Sequence, residues 1–129
     1  MANTAVTIED LFKIKESGGK ISAVSCYDAV TARMVNDTDI DMILVGDSAA
    51  QLVLGHNTTL PATMDFMTEI TAGVRRGAPD KFLVADMPFL SYQTGREEAV
   101  RNAGRFVVEA GVQMVKIEAS AAYLDIVRA

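Results

Sequence analysis

The chain alternates between short, continuous apolar runs and longer segments with a helical pattern. Residues 42–45 (Met-Ile-Leu-Val) and 82–85 (Phe-Leu-Val-Ala) are apolar at every position, which is typical of parallel strands that are buried on both faces. Segment 63–76 instead repeats apolar residues at helical spacing, which predicts an amphipathic helix. The pattern therefore predicts strands that alternate with helices.

The complete pattern is one N-terminal helix followed by four strand–helix units, which predicts an α/β fold with a parallel sheet. The first helix starts at a Thr7 cap and closes at Gly18-Gly19, and Asp28 is a plausible cap for the second. A long loop that includes residues 55–61 is predicted after the second strand. The predicted strands are 21–26, 42–45, 82–85 and 112–118, and the helices that follow them are 28–36, 63–76, 95–110 and 121–129.

Every predicted strand is followed by, or ends in, an acidic residue: Asp28, Asp47, Asp86 and Glu118. The carboxyl ends of parallel strands meet at one edge of the sheet, so these acids can be neighbours in space. Converging carboxylates repel one another unless a positive charge lies among them, and Mg²⁺, which prefers oxygen ligands, is the natural candidate. An acid after a strand is also commonly a helix N-cap, which suits Asp28 best and Glu118 least. The residues alone leave both interpretations open.

Lys116 and Glu118 lie two positions apart on a predicted strand, so their side chains share one face. A lysine beside a carboxylate ligand can bind the carboxylate of a substrate, and the hydroxyl of Ser48 can donate to it as well. If the substrate is a 2-oxo acid, chelation to a metal makes its α-carbon more acidic, because the metal stabilises the enolate. Tyr27 can either pack or donate its hydroxyl at this edge.

Charge and composition exclude several classes of function. Asp and Glu number 17 against 12 Lys and Arg, and the net charge is −5, so we expect no nucleic-acid partner. The basic pair Arg75-Arg76 is expected to be a solvated helix end. No apolar run approaches membrane-spanning length, and the first 20 residues lack the pattern of a signal peptide. The single cysteine, Cys26, excludes an internal disulfide. We therefore expect a cytoplasmic protein that binds no membrane.

Six sequence blocks, in the same order, resemble the ketopantoate hydroxymethyltransferase (3-methyl-2-oxobutanoate hydroxymethyltransferase) family. The similarity runs from about Ile8 to the last residue, and the blocks are 25–28, 44–48, 55–61, 74–79, 85–89 and 114–118. The resemblance implies a (β/α)8 TIM barrel of the phosphoenolpyruvate-mutase-like type. Residues 1–129 would supply an N-terminal helix and about four βα units, as a single domain that forms the N-terminal half of the barrel.

The resemblance also implies an enzyme, a one-carbon transferase of pantothenate biosynthesis. It would transfer a hydroxymethyl group from 5,10-methylenetetrahydrofolate to 3-methyl-2-oxobutanoate, giving 2-dehydropantoate through a magnesium-stabilised enolate. The small-molecule partners are thus a 2-oxo acid and a folate, and the assembly is a homo-oligomer, in this family a decamer of two pentameric rings. The implied metal ligands are Asp47, Asp86 and Glu118, and the implied substrate-binding residues are Tyr27, Asp47, Ser48, Asp86 and Lys116.

The resemblance assigns no catalytic residue to this chain, because the family's general-base glutamate lies in the second half of the barrel, beyond Ala129. A complete barrel takes about 250 residues, so we expect the 129 residues to be the N-terminal part of a longer enzyme. Two alternatives stay open. One is a non-catalytic fragment or subunit that lacks the base, and the other is a magnesium-dependent 2-oxo acid lyase of the same superfamily.

Overall fold

The computed structural model describes residues 5–129. Residues 1–4 lie outside the described residues. They are the first part of the 20-residue segment that lacks the pattern of a signal peptide. The elements are α1 (Ile8–Glu16), β1 (Ala23–Ser25), α2 (Ala29–Asn36), β2 (Met42–Val45), α3 (Ala49–Leu52), α4 (Met64–Gly77), β3 (Phe82–Asp86), α5 (Arg96–Ala110) and β4 (Met114–Lys116), followed by a 3-10 turn (Ala121–Tyr123) and α6 (Leu124–Val127).

The four strands form one parallel sheet in the order β1-β2-β3-β4. Val24 lies opposite Ile43, Ile43 lies opposite Leu83, and Ala85 lies opposite Val115. Each strand therefore pairs with the next strand along the chain, and a helical connection joins each pair. This arrangement confirms the predicted α/β fold with a parallel sheet.

The two faces of the sheet are covered by different elements. On one face, Ile43, Val45 and Leu83 are fully buried in a core that includes Met67 of α4 and Phe106 of α5. On the other face, Leu11 of α1 packs in a smaller cluster with Phe82 and Val84, and Met42 and Leu44 lie partly buried against it. Burial on both faces explains why β2 and β3 are apolar at every central position.

The first helix is fixed by the cap that its sequence predicts. The Thr7 hydroxyl accepts a hydrogen bond from the Asp10 amide at 3.3 Å, and the Asp10 carboxylate accepts one from the Thr7 amide at 3.1 Å. The hydrogen bonds from Thr7, together with that from Lys13, lower the pKa of Asp10 to about 2. This capping box starts α1 at the position that brings Leu11 onto the sheet.

Two strands are shorter than the sequence pattern predicts, and side chains bind backbone groups at their amino ends. At β1, the Asp41 carboxylate accepts hydrogen bonds from the amide and hydroxyl of Ser22, both at 2.7 Å. At β4, the side-chain oxygen of Gln113 accepts from the Leu83 amide at 2.9 Å. A further difference lies after β2, where the predicted loop contains the short helix α3.

Arg75 contradicts the expectation of a solvated helix end, although the Arg76 side chain is 67% exposed, as expected. The Arg75 guanidinium donates to the carbonyl oxygens of Gly111 and Lys81, at 3.1 and 3.0 Å, and to the Gln113 side chain at 2.5 Å. It also donates to two carbonyls just beyond α4. Its planar fork of five donors therefore ties the end of α4 to the starts of β3 and β4.

No helix within residues 5–129 is long and apolar enough to cross a membrane.

Helices α2 and α4 are in close contact at Gly77. A Cβ atom added to Gly77 would clash with the carbonyl oxygen of Ala29 and lie 2.7 Å from the Cβ of Ala32. Both neighbours belong to α2, and Ala32 is fully buried. The helices can therefore pack at this distance only because residue 77 has no side chain.

We predict that Gly77→Ala lowers the free energy of unfolding by about 1–3 kcal/mol, because the added methyl group forces α2 and α4 apart. The matched control is Gly104→Ala within α5, where an added Cβ meets no atom within 4 Å. That change should leave stability unchanged or raise it by up to about 1 kcal/mol, through helix propensity. Urea unfolding followed by circular dichroism measures both. Equal effects of the two substitutions would contradict the close packing at Gly77.

Candidate functional site

The carboxyl ends of β2, β3 and β4 meet around one cleft. Its volume is about 180 Å³, and its lining includes Asp47, Asp86 and Glu118. The structure thus brings together three of the four acids that the sequence places at strand ends. The fourth, Asp28, serves as the N-cap of α2, where its carboxylate accepts from the Val30 and Thr31 amides at 2.9 and 2.8 Å.

Lys116 supplies a positive charge between two of these acids. Its Nζ lies 2.6 Å from Oδ1 of Asp86 and 3.1 Å from Oε1 of Glu118. The strand register explains the first contact, because Lys116 lies opposite Asp86 in the β3–β4 pair. The second contact confirms that Lys116 and Glu118 share a face. Converging carboxylates require a nearby cation, and in this structure an ammonium group of the chain itself fills that role.

For both Asp86 and Lys116, burial and the neighbouring opposite charge shift the pKa in opposite directions. Desolvation raises the pKa of Asp86, and the hydrogen bond from Lys116 partly offsets the increase. Partial burial alone would lower the pKa of Lys116, but its hydrogen bonds to Asp86 and Glu118 outweigh burial and raise it. A contact of 2.6 Å between ammonium and carboxylate stabilises the charged forms of both groups. We therefore describe Asp86 and Lys116 as an ion pair at neutral pH.

The predicted metal ligands fit Mg²⁺ in their chemistry. Asp47, Asp86 and Glu118 present carboxylate oxygens to one cleft, and oxygen is the ligand that Mg²⁺ prefers. As the side chains are placed, however, no group of three His, Cys, Asp or Glu residues within 5–129 is arranged as a metal site. Two of the three acids contact Lys116 instead. The assignment of these residues to a metal stays a prediction.

The turn after β2 places Asp47 and Ser48 beside Asp86. The Asp47 amide donates to Oδ2 of Asp86 at 3.3 Å, and the Ser48 hydroxyl lies 2.8 Å from the Tyr27 hydroxyl. A Cβ atom on Gly46 would lie 2.8 Å from the Ser48 hydroxyl and 3.4 Å from Oδ2 of Asp86. A side chain at residue 46 would therefore force the Ser48 hydroxyl to move. Tyr27 and Ser48 contact each other, although neither is among the residues that line the cleft.

Tyr92 is a residue of the site that the sequence analysis missed. Its hydroxyl donates to the carbonyl oxygen of Glu118 at 2.9 Å and accepts from the Glu118 amide at 3.2 Å. Tyr92 is itself buried and lines the cleft. One hydroxyl therefore satisfies both backbone groups of Glu118, just beyond the end of β4. No spacing or motif indicates this contact, because it joins two loops 26 residues apart.

We predict that Tyr92→Phe lowers the free energy of unfolding by about 1–2 kcal/mol, because partly buried backbone groups of Glu118 lose their partner. The matched control is Tyr123→Phe, since the Tyr123 hydroxyl makes no hydrogen bond within the described part of the chain and its ring meets that of Tyr92 edge-on. Hydrogen exchange of the Glu118 amide should also accelerate in Tyr92→Phe alone. Equal stability and equal exchange in the two variants would contradict the role assigned to Tyr92.

The chain is 49% identical over 118 residues to the 3-methyl-2-oxobutanoate hydroxymethyltransferase of Leptospira interrogans, which covers 91% of this chain and 44% of that protein. It is 56% identical over 108 residues to the enzyme of the same name from Pseudothermotoga lettingae, covering 82% of this chain and 41% of that protein. The chain thus spans less than half the length of these relatives.

A solved structure of 2,3-dimethylmalate lyase, a PEP mutase/isocitrate lyase superfamily member, matches 88% of this chain and 40% of its own, with a TM-score of 0.66 and 18% identity. This likeness confirms the predicted fold and carries no conclusion about activity. The sequence model of the ketopantoate hydroxymethyltransferase family matches residues 5–129, which is the whole described part of the chain. Together with the close relatives, this match shows that the chain belongs to the ketopantoate hydroxymethyltransferase family.

Proposed function

We propose that the protein serves hydroxymethyl transfer from 5,10-methylenetetrahydrofolate to 3-methyl-2-oxobutanoate, which gives 2-dehydropantoate for pantothenate biosynthesis. Membership of the family supports the reaction. The observation that carries the proposal is the Lys116 ammonium group, held 2.6 Å from the Asp86 carboxylate at the edge of an acid-lined cleft. An anionic 2-oxo acid needs such a cation, because the cleft would otherwise repel it.

Lys116 and Ser48 are the residues we assign to recognition of the 2-oxo acid. The Lys116 side chain is 40% exposed, so its ammonium group can reach a ligand in the cleft. The Ser48 hydroxyl is oriented by its 2.8 Å hydrogen bond with Tyr27. Lys116 would stabilise the negative charge that develops on the substrate during the reaction, because a cation in a partly buried site acts more strongly than one in water.

Asp47, Asp86 and Glu118 are the residues we assign to Mg²⁺. When bound, the ion would increase the acidity of C3 of the 2-oxo acid, by stabilising negative charge on the keto oxygen. The Asp86 carboxylate is oriented by the Asp47 amide at 3.3 Å. The backbone of Glu118 is held by the Tyr92 hydroxyl, which binds both its carbonyl oxygen and its amide. The chain's own contribution is therefore to bring three carboxylate side chains to one cleft.

The reaction balances as loss of the C3 proton, formation of a carbon–carbon bond to the methylene group of the folate, and cleavage of both bonds from that methylene group to nitrogen. The two nitrogens take up the C3 proton and one proton of a water molecule. Water supplies the hydroxyl of the product. We assign the proton acceptor to none of the described residues, because Asp86 and Glu118 both contact Lys116. As the resemblance implies, we place that acceptor outside residues 5–129. The homo-oligomeric assembly and the cytoplasmic location stay predictions.

Binding of 3-methyl-2-oxobutanoate to the 129-residue chain in the presence of Mg²⁺ tests the proposed recognition. We expect Lys116→Met to weaken binding at least about tenfold, equivalent to about 1.4 kcal/mol, because it removes the cation that meets the carboxylate. The control is Lys20→Met, which removes an exposed lysine before β1, at the opposite edge of the sheet. Isothermal titration calorimetry gives both affinities, and equal affinities would contradict the role of Lys116.

The reaction itself is tested with the protein purified from its source cell, at whatever length it occurs there. It is mixed with 3-methyl-2-oxobutanoate and 5,10-methylenetetrahydrofolate, and formation of 2-dehydropantoate is measured. Formation of that product supports the proposal. Cleavage of a substituted malate, without transfer of the one-carbon unit, would instead favour a lyase of the same superfamily. Absence of both activities, together with no binding of the 2-oxo acid, would favour a non-catalytic subunit.

A further inference from the structure

The contacts of Lys116 compete directly with the ion assigned to the same acids. Its Nζ contacts Asp86 at 2.6 Å and Glu118 at 3.1 Å, and both are predicted metal ligands. The second oxygen of Asp86 already accepts from the Asp47 amide. An incoming cation that bound Oδ1 of Asp86 would thus lie next to a positive ammonium group. Two cations at contact distance repel each other in a partly buried site, so binding of the ion to that oxygen disfavours its contact with Lys116.

The two acids contribute unequally to this competition. The Asp86 side chain is 9% exposed, whereas that of Glu118 is 78% exposed. A buried carboxylate without a partner is costly, while an exposed one is solvated by water. The ionised form of Asp86 therefore depends on a nearby cation, and that of Glu118 does not. The contact between Lys116 and Asp86 is the one that an incoming ion must replace.

We propose that Lys116 is a built-in counter-cation, which neutralises Asp86 while no metal is bound and is released for the substrate's carboxylate when a divalent cation binds. This inference rests on the metal site of the proposed function. It adds an order of events, since binding of the metal first frees the ammonium group that the 2-oxo acid requires. The exposed part of the Lys116 side chain, 40%, gives it the freedom to leave Asp86 without displacing the core.

The proposed release of Lys116 from Asp86 predicts how tightly Mg²⁺ binds when no substrate is present. Removal of the competing charge in Lys116→Met should tighten binding of Mg²⁺ to the 129-residue chain at least about tenfold, measured by titration calorimetry. The same substitution should weaken binding of the 2-oxo acid, so a general loss of structure cannot produce both results. Lys20→Met is the control, and its affinity for Mg²⁺ should equal that of the unsubstituted chain.

A second measurement uses the unsubstituted chain and does not depend on how the variant folds. Limited labelling with an amine-reactive reagent, mapped by mass spectrometry, reports how accessible each lysine is. Addition of Mg²⁺ should increase the labelling of Lys116, because its ammonium group leaves the two carboxylates. The labelling of Lys20 should not change.

Tighter binding of Mg²⁺ by Lys116→Met, together with increased labelling of Lys116 in the unsubstituted chain, supports the counter-cation. Equal or weaker binding of Mg²⁺ by the variant overturns it, as does unchanged labelling at a saturating concentration of Mg²⁺. Absence of Mg²⁺ binding in every variant overturns the inference and the metal assignment together. The transfer reaction is measured separately as 2-dehydropantoate, so its outcome stays distinguishable from these results.

Discussion

The ion pair between Asp86 and Lys116 links the fold of this chain to its chemistry. The two residues lie opposite each other at the carboxyl ends of β3 and β4, so the parallel register alone brings their side chains together. Because Asp86 is buried, its charge must be compensated inside the protein. A shift of the register by one residue would turn one side chain to the other face and leave Asp86 without its cation. Register, burial and charge therefore depend on one another at this position.

The rest of the structure holds that register in place. Arg75 ties the end of α4 to the starts of β3 and β4, at the edge of the sheet opposite to the site. Tyr92 ties the loop after β3 to the backbone just beyond β4. The β3–β4 pair is thus fixed at both ends by side chains that bind backbone groups. Between these two ties, the apolar residues of β3 are buried on both faces, which resists sliding of the strands.

Much of this arrangement follows from local sequence. The apolar runs predict β2 and β3, and the caps at Thr7 and Asp28 predict the starts of α1 and α2, because both signals act over a few residues. The repeated order of strands and helices likewise predicts a parallel sheet. Acids at the carboxyl ends of successive parallel strands lie at one edge of the sheet, and three of the four, Asp47, Asp86 and Glu118, share one cleft.

The features that the sequence did not predict depend on contacts between distant residues. Arg75 looked like a solvated helix end because its carbonyl partners belong to later segments. The role of Tyr92 could not be predicted, because it binds the backbone of Glu118, and backbone groups are the same whatever the residue type. The contact of Lys116 with Asp86 depends on the register between β3 and β4, which the sequence does not specify. That the 129 residues form a single domain stays a prediction.

The central claim is that Lys116 supplies the charge that the buried Asp86 carboxylate requires. A double-mutant cycle with Asp86→Asn and Lys116→Met tests it most directly, with unfolding free energies measured by urea titration in a chelating buffer. The account predicts that the double variant loses less stability than the sum of the single variants, with a coupling of about 1 kcal/mol or more. Additive effects, within about 0.3 kcal/mol, would contradict the claim.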